Sequence, residues 1–362
     1  MWNKLAISLA VLAWALPAQT LTGKVDLPKD SPVTMVALDW GQSSATVRGS
    51  AYVLDIHASL SLRNSGQKRV RGITLAVVAQ EVTPGGKGSI SVPSLDVAPG
   101  DTFAVKIDLP LMRPLGPGTP GAEVRLDGLL FDDLSFTGPD KLNSRRSMTL
   151  WELEARRDRK YFKSILETAG KDALQKEMLA SLAREADRPM PGMQMVRGRS
   201  TNVDADKEMT FAFLQVPESP VEPHDGTSKM SGNEARAPRF EVKNRSSKPI
   251  KYVDFGWVVR DQQGREFQAA SMPAEVTLAP GQSAPVVQDA ALRFPANASV
   301  QAMSGYVAHV EYADGTFWVP SRSALDEAKV RAIAGPSPEE QRLMQIYRKR
   351  GLAAVVDELK KF

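Results

Sequence analysis

The chain has 362 residues, 42% hydrophobic and 24% charged, with a formal net charge of +4 and no cysteine. That length suits two domains, each large enough to bury its own core, and the composition is ordinary for a soluble globular protein. The absence of cysteine excludes disulfides, thiol catalysis, cysteine-ligated zinc and lipid attachment through an N-terminal cysteine. The small net charge gives no basic footprint for nucleic acid.

Residues 1–18 read as a secretory signal peptide. Lys4 supplies the positive start, residues 5–16 are apolar except Ser8, and Pro17-Ala18 leads into polar sequence. An apolar run of about 12 residues is too short to span a bilayer, which needs roughly 20. Cleavage is expected after Ala18, with Ala15 as the alternative. No later stretch is apolar enough to anchor the chain, so an export signal of this kind implies a bacterial periplasmic or secreted protein.

Strands are expected at 33–38, 52–62, 73–82, 90–92, 103–109 and 124–136. The 52–62 segment alternates Tyr52, Leu54, Ile56, Leu60 and Leu62, which turns one side inward. Turns are marked by Gly66, Pro84-Gly85-Gly86 and Ala98-Pro99-Gly100. Short strands separated by frequent turns, with no helical period before residue 147, point to an antiparallel β-sandwich. Helical spacing then starts at Thr149 and Glu152, which read as a capping box, and continues through Leu150, Leu153, Tyr161, Phe162, Ile165 and Leu166. Gly170 ends that helix; a second runs from 171 to 186 on Leu174, Met178, Leu179 and Leu182.

Residues 189–208 read as a linker and 209–216 as a new strand. The proline-rich 217–238 reads as a long mobile loop. A second β segment follows to residue 320. Ser337-Pro338-Glu339-Glu340 is a helix start, with Leu343, Met344 and Tyr347 on its face and Gly351 as its break. The expected division is therefore 1–18 signal peptide, 22–140 first β domain, 145–188 helical segment, 189–208 linker, 209–320 second β domain with a mobile loop at 217–238, and 324–362 C-terminal helices.

The two β segments repeat one another. Asn64 and Asn244, Pro99 and Pro280, and Asp133 and Asp314 occur in the same order at offsets of 180, 181 and 181 residues. The second copy carries Val242, Asn244, Ser246, Lys248 and Ile250, then Val253-Asp254-Phe255, Asp261 with Gly264, and Leu278-Ala279-Pro280-Gly281. On these residues the repeat resembles exported bacterial modules of the immunoglobulin-like type, including those called FxLYD-like. The first copy keeps Asn64 and the Ala98-Pro99-Gly100 turn but has Thr83-Pro84-Gly85-Gly86 where the second has Asp-x-x-Gly. The resemblance implies a mainly β fold with helical appendages: two antiparallel immunoglobulin-like β-sandwiches, each followed by a short helical segment. It implies no activity.

Catalytic signatures are missing from the sequence. There is no Gly-x-Ser-x-Gly, His-Glu-x-x-His, phosphate loop or dinucleotide fingerprint. His57, His224 and His309 are the three histidines, and no two share a strand. Asp132-Asp133 with Asp108 and Asp127 suggest calcium, but their spacing is not that of a calcium loop. No catalytic, cofactor or metal residue is expected. The basic and aromatic residues Arg156, Arg157, Arg159, Tyr161, Tyr347 and Arg348 are the expected partner-binding set, set against a solvated helix face paired by Glu152, Glu154 and Asp158. The expectation is a non-enzymatic interaction or structural module of the cell envelope that binds a protein or an anionic envelope polymer and no nucleic acid. The alternatives are a carbohydrate-active or other hydrolytic enzyme with a site at the domain junction, and a periplasmic assembly factor or chaperone.

Overall fold

Alternating side chains over Ala51–Asn64 turn Leu54, Ile56, Leu60 and Leu62 to one side, and all four are fully buried. This strand pairs antiparallel along its length with Thr102–Pro114, which buries Val105, Ile107 and Leu111. Val70–Val78 is buried on both faces and lies between Gly121–Phe131 and Lys87–Val92. These coordinates are a computed structural model that describes residues 19–82, 84–117, 120–187, 194–197, 207–231, 234–288, 290–293 and 300–362. The expected signal peptide lies outside the described residues.

The chain is mainly β with a few helices, and it divides into two compact units, Met1–Thr149 and Leu150–Phe362. The first unit has two five-stranded sheets whose apolar sides contribute to one core. In the second, strands from Gln194–Arg197 to Phe317–Trp318 join in one 11-stranded arrangement around a second core. Its aromatic side chains take places that the first copy fills with aliphatic ones. Phe240, Phe255 and Trp257 stand 180 residues after Leu60, Leu75 and Val77. The rings meet edge-on or tilted, with Phe240 and Phe255 4.7 Å apart and Phe211 and Trp257 5.0 Å apart.

Each copy is closed by the same devices. Asn64 and Asn244 are fully buried. The Asn64 amide donates to Lys68 O at 2.9 Å and Val97 O at 3.1 Å. Asn244 donates to Lys248 O and Leu278 O at the same two distances. Each side-chain oxygen accepts the backbone N–H two residues on, from Gly66 or Ser246. Lys68 reaches Asp133 at 2.7 Å, and Lys248 reaches Asp314 at 2.8 Å. Lys248 was among the repeat residues read from the sequence; its counterpart Lys68 was not.

One difference from the expected antiparallel pairing also repeats. Val25 pairs parallel with Val124, and Phe213 pairs parallel with Gly305. The strand Thr22–Asp26 itself was not anticipated, because Gly23 and two charged residues hide its period. The segment expected to be a mobile loop at 217–238 instead holds strands Val221–Pro223 and Gly226–Ser231 and the start of Glu234–Asn244. Its prolines sit outside Gly226–Ser231, whose backbone pairs on both sides. In the expected linker, Gln194–Arg197 is a strand against Ala290–Arg293; the rest, up to residue 206, lies outside the described residues.

The helices are α1 (Ser144–Asp187), α2 (Arg322–Glu327), α3 (Val330–Ile333) and α4 (Pro338–Leu359). α1 begins earlier than the expected capping box. Thr149 is inside it and donates to Arg145 O, and Asp140 accepts the Arg145 N–H instead. The α4 start is as expected, with Ser337 accepting the Glu340 N–H and Pro338 in the first turn. Both long helices break at a glycine in an extended-type conformation with positive φ: Gly170 at φ 82° and Gly351 at φ 79°. These glycines are 181 residues apart, as are Phe162 and Leu343, Leu174 and Val355, and Met178 and Leu359. All six of those apolar side chains belong to one buried cluster. The hairpin is thus part of the repeat, and the two hairpins bury their apolar faces against each other within the second unit.

Candidate functional site

The expected partner-binding residues do not form a free face. Arg159 is buried, bonds Glu152 at 2.6 Å and lies over the Phe362 ring. Arg157 is largely buried and bonds Asp158 at 2.9 Å and Pro320 O at 3.3 Å. Tyr161 packs edge-on against Phe162, with the Arg322 guanidinium 4.2 Å from its ring centre. Arg156 is half-exposed and held by Glu152. Tyr347 is half-buried against the hairpin core, and exposed Arg348 pairs with Glu185 at 2.8 Å. Helical periodicity placed these side chains outside because it takes one apolar stripe as the only buried side. α1 is covered on further sides by α2 and α4, which buries Arg157 and Arg159 with the α1 acids Asp158 and Glu152, and Arg159 also lies 3.5 Å from Glu339 of α4.

That packing creates a buried charge network centred on Arg322. The guanidinium donates to Asp158 at 3.1 Å and to Glu340 at 2.9 Å. Ser337, the α4 N-cap, donates to the other Asp158 oxygen at 2.5 Å. Burial alone would push the Asp158 carboxyl up; Arg157, Arg322 and Ser337 outweigh it and hold the group below the usual carboxylate range. Such a network fixes which helix faces meet, and it spends cations that sequence reading offered to a partner.

A cavity of about 240 Å³ lies in the second unit beside His309, Tyr306, Glu154, Arg157, Gln268 and Ser337. His309 sits opposite Asp254 on the neighbouring strand, 3.5 Å from its carboxylate, and 3.1 Å from Glu154 of α1. Burial opposes its charge, but Asp254 and Glu154 overcome that and push its pKa up to about 9. Both ring nitrogens therefore carry protons at neutral pH, a poor arrangement for a general base. Burial and the Glu154 charge push the Tyr306 phenol up as well. His57 is exposed between Asp55 and Asp108, and His224 lies in an exposed turn. The calcium candidates are dispersed: Asp108 faces His57, Asp133 faces Lys68, and buried Asp127 accepts the Lys141 N–H. Among the described residues no group of three His, Cys, Asp or Glu side chains is arranged to hold a metal.

What stays open is a pair of equivalent clefts. Asp30-Ser31-Pro32-Val33 and Glu218-Ser219-Pro220-Val221 are the same turn 188 residues apart, a repeat that the sequence reading missed. Ser31 and Ser219 each accept the N–H two residues on, and Pro32 O and Pro220 O accept from Ser65 and Arg245. Beside the first turn, Gly66, Gln67, Phe131 and Thr137 line a cleft of about 360 Å³. Beside the second, the counterparts Ser246, Ser247, Tyr312 and Trp318 line one of about 710 Å³. The second cleft also holds Arg245, Glu222 and Glu327, and Glu218 has φ 62°, a left-handed backbone unusual for a residue with a side chain.

No protein-family model matches the sequence, and no curated protein matches it. Two solved structures align with it weakly. One is an allantoicase, 8% identical over 75% of this chain and 83% of that one, with a TM-score of 0.08. The other is vicilin from hazelnut (Corylus avellana), 11% identical over 84% of this chain and 94% of that one, with a TM-score of 0.10. Neither likeness carries a fold or a function to this chain.

Proposed function

We propose that the protein is a non-enzymatic, exported interaction module of the bacterial cell envelope, built from two immunoglobulin-like repeats. The observation that supports this reading is the cleft made twice from equivalent residues at the same place in each repeat. Arg157 and Arg159 of α1, by contrast, are engaged inside the fold, so the partner contact moves from the helices to the clefts. An anionic partner loses its motivation with that move; a protein or an uncharged envelope polymer remains. Helical segments trail both repeats, and the parallel first strand shared by both copies supports a common module.

The test is affinity capture of protein and polymer from native envelope fractions on the immobilised mature protein. Capture is expected to fail for the double variant Glu218→Lys, Arg245→Glu and to persist for Arg156→Glu. Capture that ignores the cleft change, or depends on Arg156, would sink the proposal.

A further inference from the structure

The two copies differ in a patterned way. Residues that close the fold are kept or replaced in kind: Asn64 and Asn244, Lys68 and Lys248, Asp133 and Asp314, Ser135 and Thr316. Part of the cleft wall is also kept in kind, Asp30 and Pro32 answering Glu218 and Pro220, but part is not: Gly66, Phe131 and Thr137 become Ser246, Tyr312 and Trp318, and Ser65 next to Gly66 becomes Arg245. None of these changes is needed to form the turn, because the first copy makes the same turn without them. Each adds a ring, a hydroxyl or a guanidinium to the wall, and the second cleft is about twice as large as the first, about 710 against 360 Å³.

From this we infer that the cleft of the second repeat is a saccharide-binding site for an uncharged or amino-substituted glycan, a conclusion that rests on the interaction-module reading. Sugars present apolar C–H faces and a rim of hydroxyls that both donate and accept. The wall offers the matching set. Trp318 pairs across from Val310, so it stands diagonal to Tyr312 on the same face; both rings are half-buried against the core, with the Lys248 ammonium 5.3 Å from the centre of the Tyr312 ring, and present their remaining surface to the cleft. Arg245 donates, while the Ser246 hydroxyl is held inside the turn by Asn244 and Lys248 O. Glu218 and Glu327 are exposed acceptors that make no ion pair among the described residues. Glu222 is 3.9 Å from Arg245, a loose pair that leaves the guanidinium 62% exposed. Three carboxylates against one guanidinium leave the cleft net negative, which disfavours a uronate, phosphate or nucleic acid. Its openness suits a chain passing through rather than a small molecule enclosed.

The experiment is calorimetric titration of the full mature chain with four probes: an N-acetylglucosamine pentamer, its de-N-acetylated cationic form, oligogalacturonate and a lysine–arginine decapeptide. One of the first two is expected to bind, and Arg245→Ala and Glu327→Ala, both on exposed side chains, are each expected to weaken it five- to tenfold. Lys106→Ala, on an exposed side chain of the first unit away from either cleft, should leave affinity unchanged. Binding of neither glycan, preference for oligogalacturonate or the decapeptide, or indifference to both second-cleft variants would overturn the inference. Envelope capture that still depends on Glu218 and Arg245 while all glycan probes fail would remove the saccharide assignment alone. Loss of that dependence would remove the interaction-module reading with it.

Discussion

His309 ties α1 to the sheet through a proton. Its ring lies between Asp254 of the adjacent strand and Glu154 of α1, and its side chain is 17% exposed. The folded pKa is about 9 against an ordinary value of 6.5. A raised pKa means the folded form holds the proton more tightly than the unfolded chain. The resulting stabilisation is complete below pH 6.5 and is lost as pH rises through 9. At 1.36 kcal/mol per unit, the difference corresponds to ~3 kcal/mol in the second unit. Arg157, which lies 4.0 Å from Glu154, also faces this cluster and stays charged throughout, so it sets a constant background. The assay is urea unfolding of wild type and His309→Gln from pH 6 to 10, with the His309 ring proton followed by NMR. The stability gap should be near its full size at pH 6 and close by pH 10, and the ring should titrate near 9. A gap that is flat with pH, or a ring that titrates at or below 6.5, would refute this reasoning.

Asn64→Ala and Asn244→Ala should each cost ~2–3 kcal/mol, because each removes a fully buried amide that donates to two carbonyls and accepts a backbone N–H; unfolding of the matching unit, followed by hydrogen exchange, should report it, and a loss under 1 kcal/mol would count against the role. Leu134 has φ 65° at the turn position that Gly315 fills with φ 79° in the second copy. Leu134→Gly should therefore stabilise the first unit by ~0.5–1 kcal/mol, and Gly315→Ala should destabilise the second by ~1 kcal/mol. An added Cβ at Gly315 meets nothing within 4 Å, so that cost is conformational alone and a scan of melting temperature reads it directly. Arg322→Met should cost ~3–5 kcal/mol, since it leaves Asp158 and Glu340 buried without their shared cation; the same substitution with Asp158→Asn and Glu340→Gln should recover part of that loss, measured by urea midpoint.

The turns and the break points were legible in the sequence because single residue types determine them. Asn64, Asn244, Gly100, Gly281, Gly170, Gly351 and the Ser337-Pro338 start each have a backbone requirement that few residues meet. Strands with strict alternation, such as Ala51–Asn64, were equally plain. Thr22–Asp26 and Gly226–Ser231 were not, since their stability comes from pairing, on one edge for the first and on both for the second, rather than from their own apolar residues. The burial of part of the basic helix was less legible: a charge pattern shows that a side chain can face water, not that it does. Asp158 lies 164 residues before Arg322, and only the packing of α1 against α2 makes them partners. The clefts carried a signal in the repeated Ser-Pro-Val turn, masked because its offset of 188 differs from the 181 of later landmarks.

The meeting of the hairpins has a temporal side. Phe162, Leu174 and Met178 bury themselves against Leu343, Val355 and Leu359, which leave the ribosome about 180 residues later. At ~5–20 residues per second, α1 waits for its partner for roughly ten seconds or more with an apolar stripe uncovered. Contacts of such sequence separation also raise the entropic cost of closure and slow folding. The nascent chain therefore passes through an interval in which its uncovered apolar stripe is most open to capture by a holdase, and that interval ends when the second hairpin arrives.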